Sequence, residues 1–151
     1  MSNNWQHRFT LIPAVFIVVR KDNQILLLRR KGTGYMDGYY SLPAGHIDGS
    51  EPAIVAACRE AKEEVGLDLK PEDLHLVHTM HEQAEGHERM NLGFEVMHYT
   101  GKPKNMEPNK CDELRWATLD KLPENIVPSI RFLLEKIAAG EPYSDFNFKA
   151  R

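Results

Sequence analysis

Apolar and polar positions change rhythm several times along the chain, and each change marks an element. Residues 9–20 are rich in β-branched and aromatic side chains, and residues 24–30 follow a Lys21-Asp22-Asn23 turn, which predicts an initial antiparallel pair of core strands. Residues 31–40 hold Gly32, Gly34, Asp37 and Gly38, the composition of a loop, and residues 41–47 read as another strand. From 52 to 65 the period becomes helical. At about 100° per residue, Ile54, Ala57, Cys58, Ala61 and Val65 fall on one arc that packs. Pro52 suits the first helical position, and Gly66 suits the left-handed residue past the end.

The second half repeats the alternation. Residues 74–81 and 89–98 read as strands around a polar loop at 82–88, and residues 100–110 are Gly-, Pro- and Asn-rich, hence loop. A strand is predicted over 111–118 and a turn over 122–125. A helix follows over 126–139, with Ile130, Leu133, Leu134 and Ile137 as its core stripe. Pro128 fits only near a helix start, which puts the first turn around Val127. The tail, 140–151, carries Tyr143, Phe146 and Phe148 and either docks, on its own domain or a partner, or stays loose. The order strands, helix, strands, helix predicts an α/β domain with a mixed sheet between helices.

With 151 residues, 42% of them hydrophobic, the chain is long enough for one domain spanning 1–151 with a real core. The formal net charge of −3 argues against a surface for extended nucleic acid, while leaving room for a local basic cluster on nucleotide phosphates. The first residues lack the pattern of a secretory signal, and the apolar run at 9–19 is too short to span a bilayer, so no membrane partner and a cytoplasmic location are expected. Cys58 and Cys111 give no disulfide framework and are expected to be buried thiols. His78, His81 and His87 lack the accompanying cysteines or HExxH pattern of a zinc site.

One feature of the first helix is chemically unusual. Glu60, Glu63 and Glu64 fall together on an arc nearly opposite the packing one. Like charges three and four residues apart weaken a helix by roughly 0.2–0.5 kcal/mol per pair, and Arg59 and Lys62 offset only part of that. A hard divalent cation would complete the compensation, since Mg²⁺ binds through a few carboxylates together with substrate phosphates.

The spacing around these residues is more specific than the cluster. Gly45, Glu51, Arg59, Glu60, Ala61, Glu63, Glu64, Gly66 and Leu67 stand where the signature of the Nudix hydrolases (MutT-like) has its fixed positions, with Ala61 where a larger aliphatic residue is common. The chain resembles that family from its first strand to its last helix. The resemblance implies an α/β/α sandwich and Mg²⁺-dependent hydrolysis, Mn²⁺ serving as a substitute, of a nucleoside diphosphate linked to a moiety X. It implies metal ligation by Glu60 and Glu64, with Glu63 completing the shell or orienting water and Ala44 offering a main-chain carbonyl. Arg59 holds the carboxylates and pairs with Glu51. Arg30, at the end of the second strand, is favoured for the substrate phosphates. Glu107-Pro108 followed by Trp116 resembles the segment whose acidic residue approaches the metals from outside the motif, which makes Glu107 a candidate general base or extra metal ligand, with Glu63 and Glu64 as competing candidates for the base.

X is less legible. Around residues 83–85 neither Pro nor Tyr appears, and no SQPWPFPxS block follows Leu67. The absence of these subgroup markers favours a nucleoside triphosphate, standard or oxidised, cleaved to monophosphate and pyrophosphate. The alternatives are a nucleotide sugar such as ADP-ribose, or a CDP-alcohol. Two readings from other classes are an inactive nucleotide-binding module and an isopentenyl diphosphate isomerase. The intact glutamates oppose the first, and the absence of a cleft cysteine opposes the second. Tyr35, Tyr39 and Tyr40 could stack on a base. The expected partner is a small nucleotide, with a homodimer left open.

Overall fold

The apolar run near the N-terminus becomes β1 (Ile12–Val18), and its lack of alternation has a simple cause. Successive strand side chains face opposite ways, and here both sets are buried. Ala14, Phe16 and Val18 enter one hydrophobic cluster, while Val15, Ile17 and the following Val19 enter another. These features come from a computed structural model, which describes residues 4–150. In β3 (Gln24–Arg30), Ile25 and Leu27 join the first cluster and Leu26 and Leu28 the second. Helix α1 (Ala53–Val65) closes the second cluster with Ala56, Ala57, Ala61 and Val65. Helix α2 (Pro128–Ala138) closes the first with Ile130, Leu133, Leu134 and Ile137. Strands lie between helices in an α/β/α arrangement.

The strands divide into two sheets. β5 (Ala44–His46), β1, β7 (His87–Val96), β6 (Leu74–Ala84) and β9 (Tyr143–Phe146) form a mixed five-stranded sheet in that order. β1 runs parallel to β7 and antiparallel to β5. The other sheet is antiparallel and centres on β3, flanked by β2 (Arg20–Lys21), β4 (Tyr40–Ser41) and β8 (Cys111–Thr118).

Four expectations change. The first hairpin is short: β3 pairs with β2, and the link towards β1 is the Leu26 N–H to Val19 carbonyl bond at 2.9 Å. The chain changes sheets there, because β1 takes its ladder partners from β5 and β7. The strand expected over 41–47 is two strands serving different sheets. Pro43 between them has no N–H to give, and its carbonyl accepts from Ile17 at 2.8 Å. The polar stretch 82–88 is mostly strand, reduced to a Glu85-Gly86 turn with Gly86 at φ +75°. Cys111 is buried as expected, but Cys58 is only partly so, and burial raises the pKa of both thiols.

The tail docks on its own domain. β9 pairs in parallel with β6, and fully buried His78 ties it down. The two ring nitrogens of His78 bond to Ser144 Oγ at 2.7 Å and to the Glu141 carbonyl at 2.6 Å.

Candidate active site

β5 sits at the edge of its sheet, directly beneath α1, and the site is built where the two meet. Small residues at 56, 57 and 61 bring the helix close to the sheet. At the helix end Gly66 takes φ +69°, and its N–H reaches the Lys62 carbonyl at 3.1 Å. Close approach leaves no room for a side chain at Gly45: a Cβ there would lie 2.0 Å from Glu60 Oε1. One residue earlier, the Ala44 N–H donates to Glu64 Oε2 at 3.0 Å.

Arg59 organises the loop between β5 and α1. Its guanidinium grips Glu51 through two bonds, Nη2 to Oε1 at 2.6 Å and Nε to Oε2 at 3.1 Å. It also donates to the His46 carbonyl at 3.1 Å and to Glu60 Oε1 at 2.7 Å. The Asp48 N–H completes the hold on Glu51 at 2.8 Å. The hydrogen bond from Arg59 holds the Glu51 carboxyl below its usual range. Glu60 moves the opposite way, because burial outweighs a guanidinium shared with Glu51.

Glu64 is the most perturbed carboxyl group. Burial, reinforced by the charges of Glu60 and Glu107, raises its pKa to about 8 against the opposing Ala44 N–H. Glu107 arrives from the loop before β8, which is tied to the end of α1. The Lys104 N–H bonds to the Val65 carbonyl at 3.0 Å and the Met106 N–H to the Glu64 carbonyl at 3.1 Å. These bonds set Glu107 across a recess of about 330 Å³ that Glu64, Ala44 and Lys110 also line. Lys110, unremarked in the sequence, stands 3.0 Å from Glu107, and that bond raises its pKa.

Glu63 is set apart, half exposed and reached by Arg59 only at 3.4 Å. Arg29 and Arg30 both border the recess, although adjacent strand residues should face opposite ways; the register shift between them breaks the alternation. Arg29 is engaged by Asp112 and Glu113 at 2.7 and 2.9 Å. Arg30 bonds instead to neutral oxygens, the Tyr35 carbonyl at 2.7 Å and Thr33 Oγ1 at 2.9 Å. Asp37 braces that loop by accepting from Thr33 and Gly34, bonds that lower its own pKa. Of the three tyrosines, Tyr35 is exposed beneath Arg30 at the cleft, whereas Tyr40 is buried with the guanidinium groups of Arg29 and Arg115 near its ring.

Among the described residues no three His, Cys, Asp or Glu groups form a ready metal shell. The donor chemistry nevertheless suits a hard cation. Glu60 and Glu107 each raise the pKa of the part-buried Glu64 carboxyl, and Lys110 only partly opposes them. A divalent ion with oxygen preference would offset that concentration of negative charge.

The NUDIX domain family matches residues 10–137. The chain belongs to the Nudix family. It resembles the MutT NUDIX hydrolase of Burkholderia pseudomallei, with a TM-score of 0.74 and 28% identity over 83% of this chain and 97% of that one. The MutT protein of Methanosarcina mazei Go1 shares the fold at a TM-score of 0.74 and 20% identity, covering 87% of this chain and 96% of that one. Among curated relatives, the NAD-capped RNA hydrolase NudC of Stutzerimonas stutzeri is 30% identical over 78% of this chain and 40% of its own length. The ADP-ribose pyrophosphatase of Methanocaldococcus jannaschii is 39% identical over 46% of this chain and 41% of its own. This Nudix chain thus spans about two-fifths of the length of the curated relatives it matches.

The Nudix cleft continues beyond the recess. Arg30, Ala44 and His46 also line a second cavity of about 250 Å³, walled by Ala14, Phe16, Val127 and Ile130 and containing Glu82. Sequence reasoning reached this half through Arg30, Ala44 and Tyr35 but missed Glu82 and Arg89, which stood in or beside a stretch read as a polar loop.

Proposed function

We propose that the chain hydrolyses the diphosphate of a nucleoside diphosphate linked to a sugar or second nucleoside, giving a nucleoside monophosphate and the phosphate of X. ADP-ribose is the representative substrate. The observation that carries this reading is the two-lobed cleft, with Arg30, Ala44 and His46 common to both lobes. A diphosphate at the junction has room for a group on either side. A triphosphate, favoured by the missing subgroup markers, would leave one lobe without a base or sugar. The relatives named as an ADP-ribose pyrophosphatase and an NAD-capped RNA hydrolase support the same choice.

In this reading Glu60 and Glu64 would hold Mg²⁺, and Glu63 and the Ala44 carbonyl would be the groups able to complete its surroundings. The chemistry expected from the bound ion is neutralisation of phosphate charge and a lowered pKa for the attacking water. Arg59 fixes Glu60 and the loop at 46–51, and Arg30 binds a phosphate. Glu107 takes the proton of the water as the new P–O bond forms and the bridging P–O bond breaks. Phosphoryl transfer needs this positioning and charge neutralisation more than covalent chemistry from the protein.

The test is turnover of ADP-ribose, NADH, a CDP-alcohol and nucleoside triphosphates with Mg²⁺, with products separated by chromatography. AMP and ribose phosphate from ADP-ribose, at a kcat/KM above that of every triphosphate, are expected. Faster release of pyrophosphate from a triphosphate would restore the other substrate class.

A further inference from the structure

Glu82 is only 8% exposed, yet it borders the cavity beyond Arg30. Its Oε2 accepts from Asn91 Nδ2 at 2.6 Å. Its Oε1 has no hydrogen-bond partner among the described residues, and none of their cations comes within ion-pair distance of the group. Arg89, directly opposite on β7, turns its Nε to His87 Nε2 at 2.9 Å instead. Behind Glu82, the fully buried Asn91 leaves its Oδ1 without a partner. Asn91 Oδ1 is therefore a buried acceptor with nothing to accept from, which is costly unless a ligand or water supplies the donor, whereas Glu82 Oε1 is not sealed off and is free to accept from what enters the cavity.

The surroundings indicate which donor. Phe16, Val127 and Ile130 make apolar walls, and the buried Ser41 and Ser129 bring hydroxyl groups to the same cavity. A sugar would set most of its hydroxyls against hydrocarbon here. A planar heteroaromatic ring buries apolar faces and keeps its polar groups on the edge. We propose that Glu82 determines base specificity, its Oε1 accepting a hydrogen bond from an exocyclic amino group such as that at position 6 of adenine. The hydroxyls of Ser41 and Ser129 supply donors to the ring nitrogens. This rests on the nucleoside diphosphate–X reading and adds which part of the substrate enters the second lobe.

Glu82→Gln is a discriminating variant because Asn91 orients it. The amide oxygen of the glutamine stays on Asn91 Nδ2, so its NH₂ faces the cavity and favours a carbonyl over an amino group. The experiment compares kcat/KM for ADP-ribose and inosine diphosphate ribose, which carries a 6-oxo group. Wild type should prefer ADP-ribose by at least about 10-fold, and the variant should lower that ratio by at least about 10-fold. A wild-type ratio near one overturns the proposal, and that arm requires no variant to fold. An equal loss on both substrates in the variant also overturns it and assigns Glu82 to the ribose or to packing. If wild type cleaves no nucleoside diphosphate–X compound, the hydrolase reading fails. Calorimetric binding of AMP against IMP then tests Glu82 alone, with equal affinities counting against it.

Discussion

The carboxyl group of Glu60 rests against the bare α-carbon of Gly45. A methyl group there would stand 2.0 Å from Oε1 and 2.1 Å from Cδ. Such separations are impossible, so Gly45→Ala must displace Glu60. Position 45 does not have a left-handed backbone, and the obstructing group is the end of a flexible side chain, so the fold should survive. A misplacement of about 1 Å can cost about 10²-fold in rate. We expect kcat to fall by that order, with a melting temperature within a few degrees of wild type. Unchanged turnover at saturating Mg²⁺ would mean that Glu60 has no role that depends on its position.

Glu64 should make the metal-free protein sensitive to pH. Its folded pKa is about 8 against an ordinary 4.5, and burial is the main cause. Between those values the folded chain keeps a proton that the unfolded chain has released. Stability contributed at this site is therefore present below the lower value and lost as pH rises towards the upper one, with a slope of at most about 1.4 kcal/mol per pH unit. Urea unfolding in EDTA at pH 5 and pH 8 measures it. Glu64→Gln should lose this component of the slope together with activity, and parallel profiles for the two proteins would contradict the assignment.

Glu107 tests the general base. Its loop is already bonded to the end of α1, so Glu107→Gln should leave the backbone in place. A positioned base contributes about 10²–10⁴-fold, so kcat should fall by that order with a smaller change in KM. A loss below about threefold across a pH series would return the role to the helix glutamates.

His78 offers a stability test away from the chemistry. His78→Phe leaves the buried Ser144 without its Oγ partner and the Glu141 carbonyl without its ring nitrogen. The expected cost is about 1–3 kcal/mol in urea unfolding. Faster amide exchange along β9 should accompany it, and wild-type protection there would show that pairing with β6 suffices.

Much of this protein was legible from local rules. β3 and β8 have the ends that their hydrophobic runs predict, and α2 begins after Val127 because Pro128 has no N–H for a helix interior. The packing of Ala57, Ala61 and Val65 on α1 follows from rotation of about 100° per residue, although Ile54 and Cys58 are only partly buried and Ala56 is fully so. Arg59 and Glu51 are linked by motif spacing, and they meet because the loop between them is short enough for the guanidinium to reach back across it.

Non-local packing decided the rest. Periodicity places Glu60, Glu63 and Glu64 on one side of a helix. It does not reveal that the backbone of β5 caps and partly buries Glu64 while leaving Glu63 half exposed. Adjacent arginines should diverge, but a bulge set by pairing with β8 brings both to the recess. The stretch at 82–88 is polar and therefore read as loop, yet Glu82 is buried in a strand paired with β7, where Asn91 donates to it, and it borders a cavity that the start of α2 also lines. Composition records a residue's affinity for water in isolation, whereas burial depends on which distant strand arrives to pack on it. The sequence by itself therefore determined the family, the helix and its carboxylates. Only the folded sheet decided which carboxylates lose their water and face a cavity.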